Sequence, residues 1–419
     1  MTNLFSSQAP ELKRRRASEA RFKFSGLAAI VFAIGFLIVM VGSIAWTGSG
    51  ALRESVIQIS VDLGPDNVDP ENLAKAKYST IVKDALKDRF PDIKKRKDRR
   101  KLYGILSPDA SLELKQFVLQ NPQVVGGVTD VWLLASDDVD LFFKGSVDTS
   151  LAENRRKFSD LEIGLVDSLS ENNQIVRQFN TRFFLNGDSR EPELAGILSS
   201  LMGSAFTLLI CFAISFPVGV GAAIYLEEFA KKDRVSEFIE VNINNLAAVP
   251  SIVFGLLGLA IFLNFFGLPR SSPLVGGMVL ALMTLPTIII ASRAALRAVP
   301  PSIREAALGL GASNIQTTFH HVAPLALPGM LTGAIVGMAR ALGETAPLLM
   351  IGMVAFIADV PKGIMDSATA LPVQIFLWAD APQRGFMEKT SAAIIVLLVF
   401  LVLMNILAVI VRRKFERRF

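Results

Sequence analysis

Long apolar segments that carry almost no charge constrain the fold of this chain more than any other feature. The first runs from Leu27 to Trp46, and five more are predicted at residues 197–226, 249–266, 274–296, 325–356 and 392–411. A segment of about 20 apolar residues crosses the hydrocarbon core of a bilayer as a helix. The hydrophobic fraction of 51% and the mean hydropathy of +0.46 are those of an integral membrane protein. The sequence therefore predicts an all-α membrane protein with six transmembrane helices.

Basic residues flank these segments and predict their orientation. They are dense in residues 1–23, before the first predicted span at 24–47, and again at Arg412, Arg413 and Lys414 after the last one. Because cytoplasmic flanks carry an excess of Lys and Arg, we expect both termini in the cytoplasm. The same bias explains the net charge of +5 without nucleic-acid binding. The first span exceeds the apolar core of a signal peptide, so an anchor is preferred to the alternative of a cleaved signal.

Residues 48–190 differ sharply from the rest of the chain. They are rich in charge and contain short apolar patches, such as residues 131–134 and 141–143. The length suffices for a small folded domain, and we predict a mixed α/β extracytoplasmic domain inserted after the first helix. A basic cluster at residues 94–101 is interpreted as a solvated helix face, with an anion or lipid surface as the alternative. Long segments cross the membrane regardless of charge, so this cluster does not change the predicted orientation.

The run from Arg304 to Pro324 is too polar and too broken by glycine to cross a membrane. Gly309 and Gly311 predict a turn between two short helices. Two pairs have the spacing of a capping box: Ser302 with Glu305, and Ser313 with Gln316. Four apolar residues would share one face if the helix continued: Leu308, Ala312, Ile315 and Phe319. Such a stripe favours a helix that docks into a groove.

The fifth predicted span, residues 325–356, contains two charges four residues apart, Arg340 and Glu344. A charge near the centre of a bilayer costs about 2.5–3.5 kcal/mol on insertion scales. The pair could simply neutralise itself, but buried intramembrane charges usually line a pathway, and we favour that role. A guanidinium keeps its charge when desolvated and presents a planar fork of donors, which suits an oxyanion. Pro347 predicts a bend in this helix.

Several motifs resemble those of ABC-importer permeases. Glu305-Ala306-Ala307, followed by Gly311 and Pro324, resembles the EAA loop of that family, although His321 and Ala323 replace the usual apolar residues. In the family this loop is the cytoplasmic coupling helix that docks on the ATPase subunit. Residues 221–228, 249–255 and 340–347 are similar to the phosphate-specific members. The resemblance covers roughly residues 195–419, and it implies nothing about the role of residues 48–190.

The resemblance carries specific expectations. It implies a type I ABC-importer permease bundle at residues 195–419, with the coupling loop at 300–324, in a bacterial inner (plasma) membrane. It implies phosphate import with an ATP-binding subunit dimer, a second homologous permease and an extracytoplasmic phosphate-binding protein. The expected substrate-pathway residues are Arg340, Glu344, Thr345 and Arg293. The expected ATPase-coupling residues are Glu305, Ala306, Ala307, Gly311 and Ser313.

Catalysis by the chain itself is not expected. The sequence has no Gly-Lys-Ser/Thr and hence no Walker A loop, so ATP hydrolysis belongs to a partner subunit. We expect no cofactor and no metal, because the adjacent His320 and His321 point about 100° apart on a helix. Two alternatives remain: a permease for another oxyanion, such as sulfate, molybdate or phosphonate, and a membrane-anchored sensor whose outer domain detects a ligand. The sensor hypothesis leaves the charges of the fifth span without a purpose.

Overall fold

A computed structural model describes residues 8–147, 152–153, 156–231 and 233–415. The first seven residues of the predicted basic N-terminal segment lie outside this range. The first helix, α1 (Gln8–Gly48), is longer than the predicted span because its polar N-terminal residues continue the same helix. Its side chains from Arg14 to Met40 are exposed. It meets the last helix, α17 (Gly385–Phe415), near Gly48, where a Cβ would come within 2.7 Å of the Ala392 backbone.

The charged region after α1 folds around a three-stranded antiparallel sheet. Its central strand, β1 (Arg53–Asp62), lies between β2 (Val128–Leu134) and β3 (Ile175–Phe179). Six helices accompany the sheet: α2 (Tyr78–Arg89), α3 (Arg96–Tyr103), α4 (Ala110–Gln120), α5 (Asp137–Phe143), α6 (Asp160–Glu171) and α7 (Thr181–Leu185). This arrangement confirms the predicted mixed α/β domain.

The alternation of side chains along the strands explains how this region, here called the sheet domain (residues 53–185), packs. Ile57, Ile59 and Val61 of β1 are buried in one apolar core with residues of α2, α4 and α6, while Ser60 and Asp62 on the opposite face are exposed. In α3, which carries much of the basic cluster, only Leu102 is buried. Its charges therefore lie on a solvated helix face, as we predicted.

The second half of the chain is a helical bundle. Its long helices are α8 (Leu198–Ile224), α9 (Arg234–Ala247), α11 (Pro273–Arg297), α14 (Ala323–Gly343) and α17. Shorter helices are α10 (Ser251–Gly258), α12 (Pro301–Gly309), α13 (Asn314–Gln316), α15 (Ala346–Met350) and α16 (Leu371–Ala379). Single π-helical segments extend α8 to Phe229, extend α10 to Phe265 and join α13 to α14.

The described residues contain five helices that are long and apolar enough to span a membrane, and six if a bent pair counts as one span. The bent pair is α9 with the α10 segment, and the angle between them is 101°. Pro250 lies at the bend and starts α10. The predicted third span is thus a short segment, Ser251–Phe265, joined sharply to the amphipathic helix before it.

Glycines allow close packing between α8, α11 and α14. A Cβ on Gly277 of α11 would come within 2.6 Å of Ile210, and one on Gly219 of α8 within 2.7 Å of Ile288. A Cβ on Gly333 of α14 would lie closer still to the Ala291 side chain of α11. Small residues at such contacts let helix backbones approach within a membrane, where packing rather than the hydrophobic effect holds helices together. Helix α11 is therefore the central helix of the bundle.

The predicted fifth span is wrong at its distal end. We expected one helix from 325 to 356, but α14 ends at Gly343 and the separate α15 occupies only Ala346–Met350. Glu344, between them, has an extended backbone with φ −81° and ψ 122°. Pro347 has no amide hydrogen and cannot continue the ladder of α14. We predicted a bend near Pro347, but the structure ends α14 at Gly343 and starts a separate helix.

Candidate functional site

The polar run between α11 and α14 forms an elbow of two short helices, here called the elbow (residues 300–324). Helix α12 ends at Gly309, and Gly311 has φ +85° in the left-handed region that favours glycine. Helix α13 then begins with the predicted capping box. The Ser313 hydroxyl accepts the Gln316 amide at 3.3 Å, and the Gln316 side chain accepts the Ser313 amide at 2.9 Å.

The other predicted capping box, Ser302 with Glu305, is wrong. Helix α12 starts at Pro301 after Pro300, and its N-terminus has no side-chain cap. Proline at the first helical position lacks the amide that a cap would satisfy and already has a helical φ. The two prolines therefore begin the helix one residue before Ser302, and Glu305 is left exposed with Ala306.

Large apolar side chains are exposed on the elbow. The exposed fractions are 46% for Leu308, 90% for Leu310, 63% for Ile315 and 52% for Phe319. The turn at Gly311 divides them between two helices, so they do not form the continuous stripe that an unbroken helix would give. Ala307 is buried and holds α12 against the rest of the chain. An exposed apolar group rimmed by polar residues indicates a surface that contacts another protein.

Arg340, Glu344 and Thr345 lie together where α14 ends. The distance from Arg340 Nε to Glu344 Oε1 is 3.6 Å, and the two side chains are 49% and 20% exposed. One turn before Arg340, Gly337 lies against Thr284 and Ile288, near the middle of α11. At the break between α14 and α15, the Glu344 amide donates to the Ala341 carbonyl at 3.2 Å. The structure thus brings a half-exposed guanidinium, a carboxylate and a hydroxyl to one place.

Arg293, the fourth predicted pathway residue, lies apart from this group. Gly329 and Gly333 of α14 pack beside Ala295 and Ala291 of α11, so Arg293 is roughly two turns of α14 away from Arg340. Its guanidinium donates to Glu240 at 2.9 Å and to Glu227 at 3.3 Å. Only 12% of its side chain is exposed. These contacts join α11 to α9 and to the end of α8, and the pathway role of Arg293 stays a prediction.

The sequence did not reveal the junction between the sheet domain and α17. There, Asp137 accepts the Gly385 amide at 3.2 Å, and Lys144 donates to Glu388 at 3.0 Å. Burial, reinforced by the neighbouring Asp138, raises the pKa of Asp137 to about 6. Burial also raises the pKa of Glu193, in the linker beside this junction, to about 7. The adjacent charges Glu388 and Lys389 at the start of an apolar segment were the available sign of such a contact.

Together these features indicate the class of protein to which the chain belongs. A bundle of apolar helices with a charged, interrupted helix and an exposed polar elbow is the architecture of a multi-pass membrane permease. Residues 215–419 match the family described as "Binding-protein-dependent transport system inner membrane component". Residues 9–153 match a "Domain of unknown function (DUF3333)".

Curated relatives indicate which permeases this chain is similar to. The phosphate transport system permease protein PstA 1 of Mycobacterium tuberculosis (strain ATCC 25618 / H37Rv) is 31% identical over 236 residues, which is 56% of this chain and 75% of the relative. PstA of Yersinia pestis is 31% identical over 52% of this chain and 73% of its own length. YqgI of Bacillus subtilis (strain 168), a probable ABC transporter permease protein, is 35% identical over 42% of this chain and 59% of its own length.

The chain belongs to the PstA-like permeases, the inner membrane components of binding-protein-dependent ABC importers. This membership confirms the resemblance seen in the sequence. It also makes the chain a membrane component of a transporter rather than an enzyme.

Proposed function

We propose that this chain is the permease subunit of an ABC importer that moves inorganic phosphate into the cell, driven by ATP hydrolysis in partner subunits. The names of the PstA relatives support phosphate as the substrate. The observation that carries the proposal is the Arg340–Glu344 pair at the interrupted helix α14. The other components are an ATP-binding dimer, a second homologous permease and an extracytoplasmic phosphate-binding protein. The importer lies in a bacterial inner membrane, with both termini of this chain cytoplasmic.

Arg340 has the chemistry of a transient phosphate ligand. Phosphate carries one to two negative charges near neutral pH, and a guanidinium binds two of its oxygens with parallel N–H donors. The Arg340–Glu344 distance of 3.6 Å exceeds that of a normal hydrogen bond, so the pair is loose and the ion can displace the carboxylate. Glu344 then competes with the ion and keeps the site weak enough for release. The hydroxyl of Thr345 is a further donor beside it.

The exposure of this group supports a pathway between two permease subunits. About half of the Arg340 side chain, 49%, is accessible in the isolated chain, although it lies beside the middle of the central helix α11. A charged side chain at such a level avoids lipid by facing a partner helix or a water-filled cavity. We propose that the second permease faces Arg340 and completes the pathway.

The elbow is proposed as the contact with the ATP-binding dimer. Glu305, Ala306 and the apolar residues around Gly311 are exposed there, whereas Ala307 and the Ser313 capping box stabilise the two short helices. Closure of the ATP-binding dimer would displace the elbow as a unit. The bundle would then change between outward-open and inward-open states.

Uptake of labelled phosphate by the complete importer in proteoliposomes tests the proposal. We expect Arg340→Gln to reduce uptake at least about tenfold, since a charge-assisted bidentate contact is lost. The control is Arg270→Gln, which alters an exposed arginine in the turn between α10 and α11. Unchanged uptake by Arg340→Gln would remove this residue from the pathway. Uptake of labelled sulfate, molybdate or phosphonate by an importer that takes up no labelled phosphate would favour the alternative substrates.

A further inference from the structure

Arg304, the residue before the Glu305-Ala306-Ala307 motif, is the most highly connected side chain of the elbow. Its guanidinium donates to both carboxylate oxygens of Glu228, from Nη2 to Oε1 at 2.6 Å and from Nε to Oε2 at 3.2 Å. It also donates from Nη1 to the Val299 carbonyl at 2.8 Å and from Nη2 to the Leu296 carbonyl at 2.9 Å. Four hydrogen bonds therefore fix one side chain of α12 to two other elements.

These two elements lie at the ends of α8 and α11, on the side of the bundle where the elbow lies. Leu296 and Val299 belong to the last turn of α11 and the residues after it, and Glu228 lies in the π-helical extension of α8. Helices α8 and α11 are themselves packed closely through Gly277 and Gly219. Arg304 thus connects the elbow to the two helices that form the rigid centre of the bundle.

The ion pair is sheltered, which distinguishes it from an ordinary surface pair. Only 24% of the Arg304 side chain and 10% of the Glu228 side chain are exposed. Exposed ion pairs contribute little because water screens them and their long side chains lose entropy. A bidentate pair away from water has a fixed geometry, and breaking it leaves a charge without its partner.

We infer that Arg304 and Glu228 form a transmission clamp, in which Arg304 is a positioning residue that makes α8 and α11 move with the elbow. The inference rests on the proposed function, since it explains how movement of the elbow reaches the transmembrane helices. Arg293 and Arg297, which both pair with Glu227, hold the same end of α8 to α11. Without the clamp, the elbow follows the ATP-binding dimer while α8 stays behind.

The geometry of the clamp requires arginine. The Nε and Nη2 atoms of the planar guanidinium bind the two carboxylate oxygens of Glu228. Nη2 and Nη1 also bind the Leu296 and Val299 carbonyls, so one side chain holds a carboxylate and two carbonyls together. A lysine ammonium presents a single charged atom and cannot reproduce the parallel pair of bonds to Glu228. Arg304→Lys keeps the charge and is therefore an intermediate variant that is expected to insert and assemble normally.

The test compares transport with ATP consumption in the complete importer, reconstituted in proteoliposomes with its binding protein. Labelled phosphate gives uptake, and ADP formation gives ATP hydrolysis independently of phosphate. We expect Arg304→Gln and Glu228→Gln each to lower the phosphate moved per ADP formed by at least about fivefold, the lower range of typical coupling between sites. The double variant should be no worse than either single one, because both remove the same contact. Arg304→Lys should be intermediate, and Arg270→Gln, at the exposed arginine between α10 and α11, is the control expected to keep the normal ratio.

A distance measurement tests whether Arg304 and Glu228 act as a clamp, and its result does not depend on phosphate being the substrate. Spin labels at positions 225 and 302, both exposed, report the separation of the α8 extension and the elbow in a Cys211→Ser background. With the clamp intact, ATP binding should leave this distance unchanged, whereas in Arg304→Gln it should change. An unchanged distance in Arg304→Gln would overturn the inference. So would normal coupling in Glu228→Gln, which would assign Arg304 a direct contact with the ATP-binding subunit. Failure of the unaltered importer to take up phosphate would instead refute the proposed function.

Discussion

Two arginines of the bundle show how partners determine what a side chain does. Arg293 is held by two carboxylates, Glu227 and Glu240, and 12% of it is exposed. Arg340 has one carboxylate at 3.6 Å and is 49% exposed. The first guanidinium has few donors left for an ion, whereas the second can exchange its partner. Both residues were candidates for the substrate pathway because both are arginines. Their contacts and exposure favour Arg340.

Gly311 has a backbone conformation that other residues adopt only with strain. Its φ is +85°, and a Cβ built on it would meet no atom within 4 Å. The requirement for glycine is thus conformational rather than steric, at a cost of roughly 1–2 kcal/mol for an ordinary residue. Gly309, two residues earlier, also has open space but no positive φ.

We therefore expect Gly311→Val to distort the elbow, because valine cannot keep the turn between α12 and α13. Stimulation of ATP hydrolysis by the loaded binding protein should fall severalfold, while the amount of protein inserted in membranes stays the same. Gly309→Val adds the same side chain at an unstrained position and is the matched control. Equal stimulation in the two variants would contradict a role for the Gly311 turn in docking.

At the scale of helices, α11 depends on glycine for a different reason. A Cβ on Gly277 would come within 2.6 Å of the Ile210 side chain and 2.8 Å of the Thr207 carbonyl. Backbone atoms cannot move aside without shifting α8, so this contact has no room for a larger residue. Gly221, in α8, has nothing within 4 Å of its Cβ position.

Gly277→Val should consequently destabilise the bundle, by about 1–3 kcal/mol as expected for overpacking. Gly221→Val carries the same change of helix propensity without the clash and serves as its control. Thermal unfolding of the purified protein in detergent measures the difference. If both variants unfold at the same temperature, the contact between α8 and α11 is looser than the structure indicates.

The elements that could be predicted depend on residues close together in the sequence. The spans follow from local composition and the Ser313 cap from residues three apart, whereas Pro347 predicted only a bend where α14 in fact ends. By contrast, Arg304 and Glu228 are 76 residues apart, and Asp137 and Gly385 are 248 apart. No periodicity relates such partners, because only the packing of the whole chain brings them together. The order of the three strands in the sheet could not be predicted for the same reason.

At the scale of the whole molecule, the sheet domain is attached to the bundle by largely buried charged groups. Lys144 of the sheet domain pairs with Asp140 at 2.5 Å and with Glu388 of α17 at 3.0 Å. Lys389, the next residue of α17, donates to the Ala195 carbonyl at 3.1 Å. A small cavity at this junction is lined by Glu54, Asp137 and Glu193, among others. The sheet domain is thus fixed to α17, the same helix that meets α1, and the contact involves two acids whose pKa values are raised to about 6 and about 7.

This attachment should weaken as the pH rises. The folded-state pKa of Asp137 is about 6 and that of Glu193 about 7, above their ordinary values of 3.8 and 4.5. The folded protein therefore binds more protons than the unfolded chain between about pH 4 and pH 7, so its stability falls through this window as the acids ionise. Asp138 and Asp140 oppose ionisation of Asp137, while Lys157 favours it.

We expect Asp137→Asn combined with Glu193→Gln to flatten the pH dependence of thermal unfolding, with the exposed Asp66→Asn as control. Since neutral side chains remove the cost of burying two carboxylates, the double variant should gain on the order of 2 kcal/mol at about pH 8 relative to the unaltered protein. A pH profile that keeps its slope in the double variant would show that other groups govern the junction.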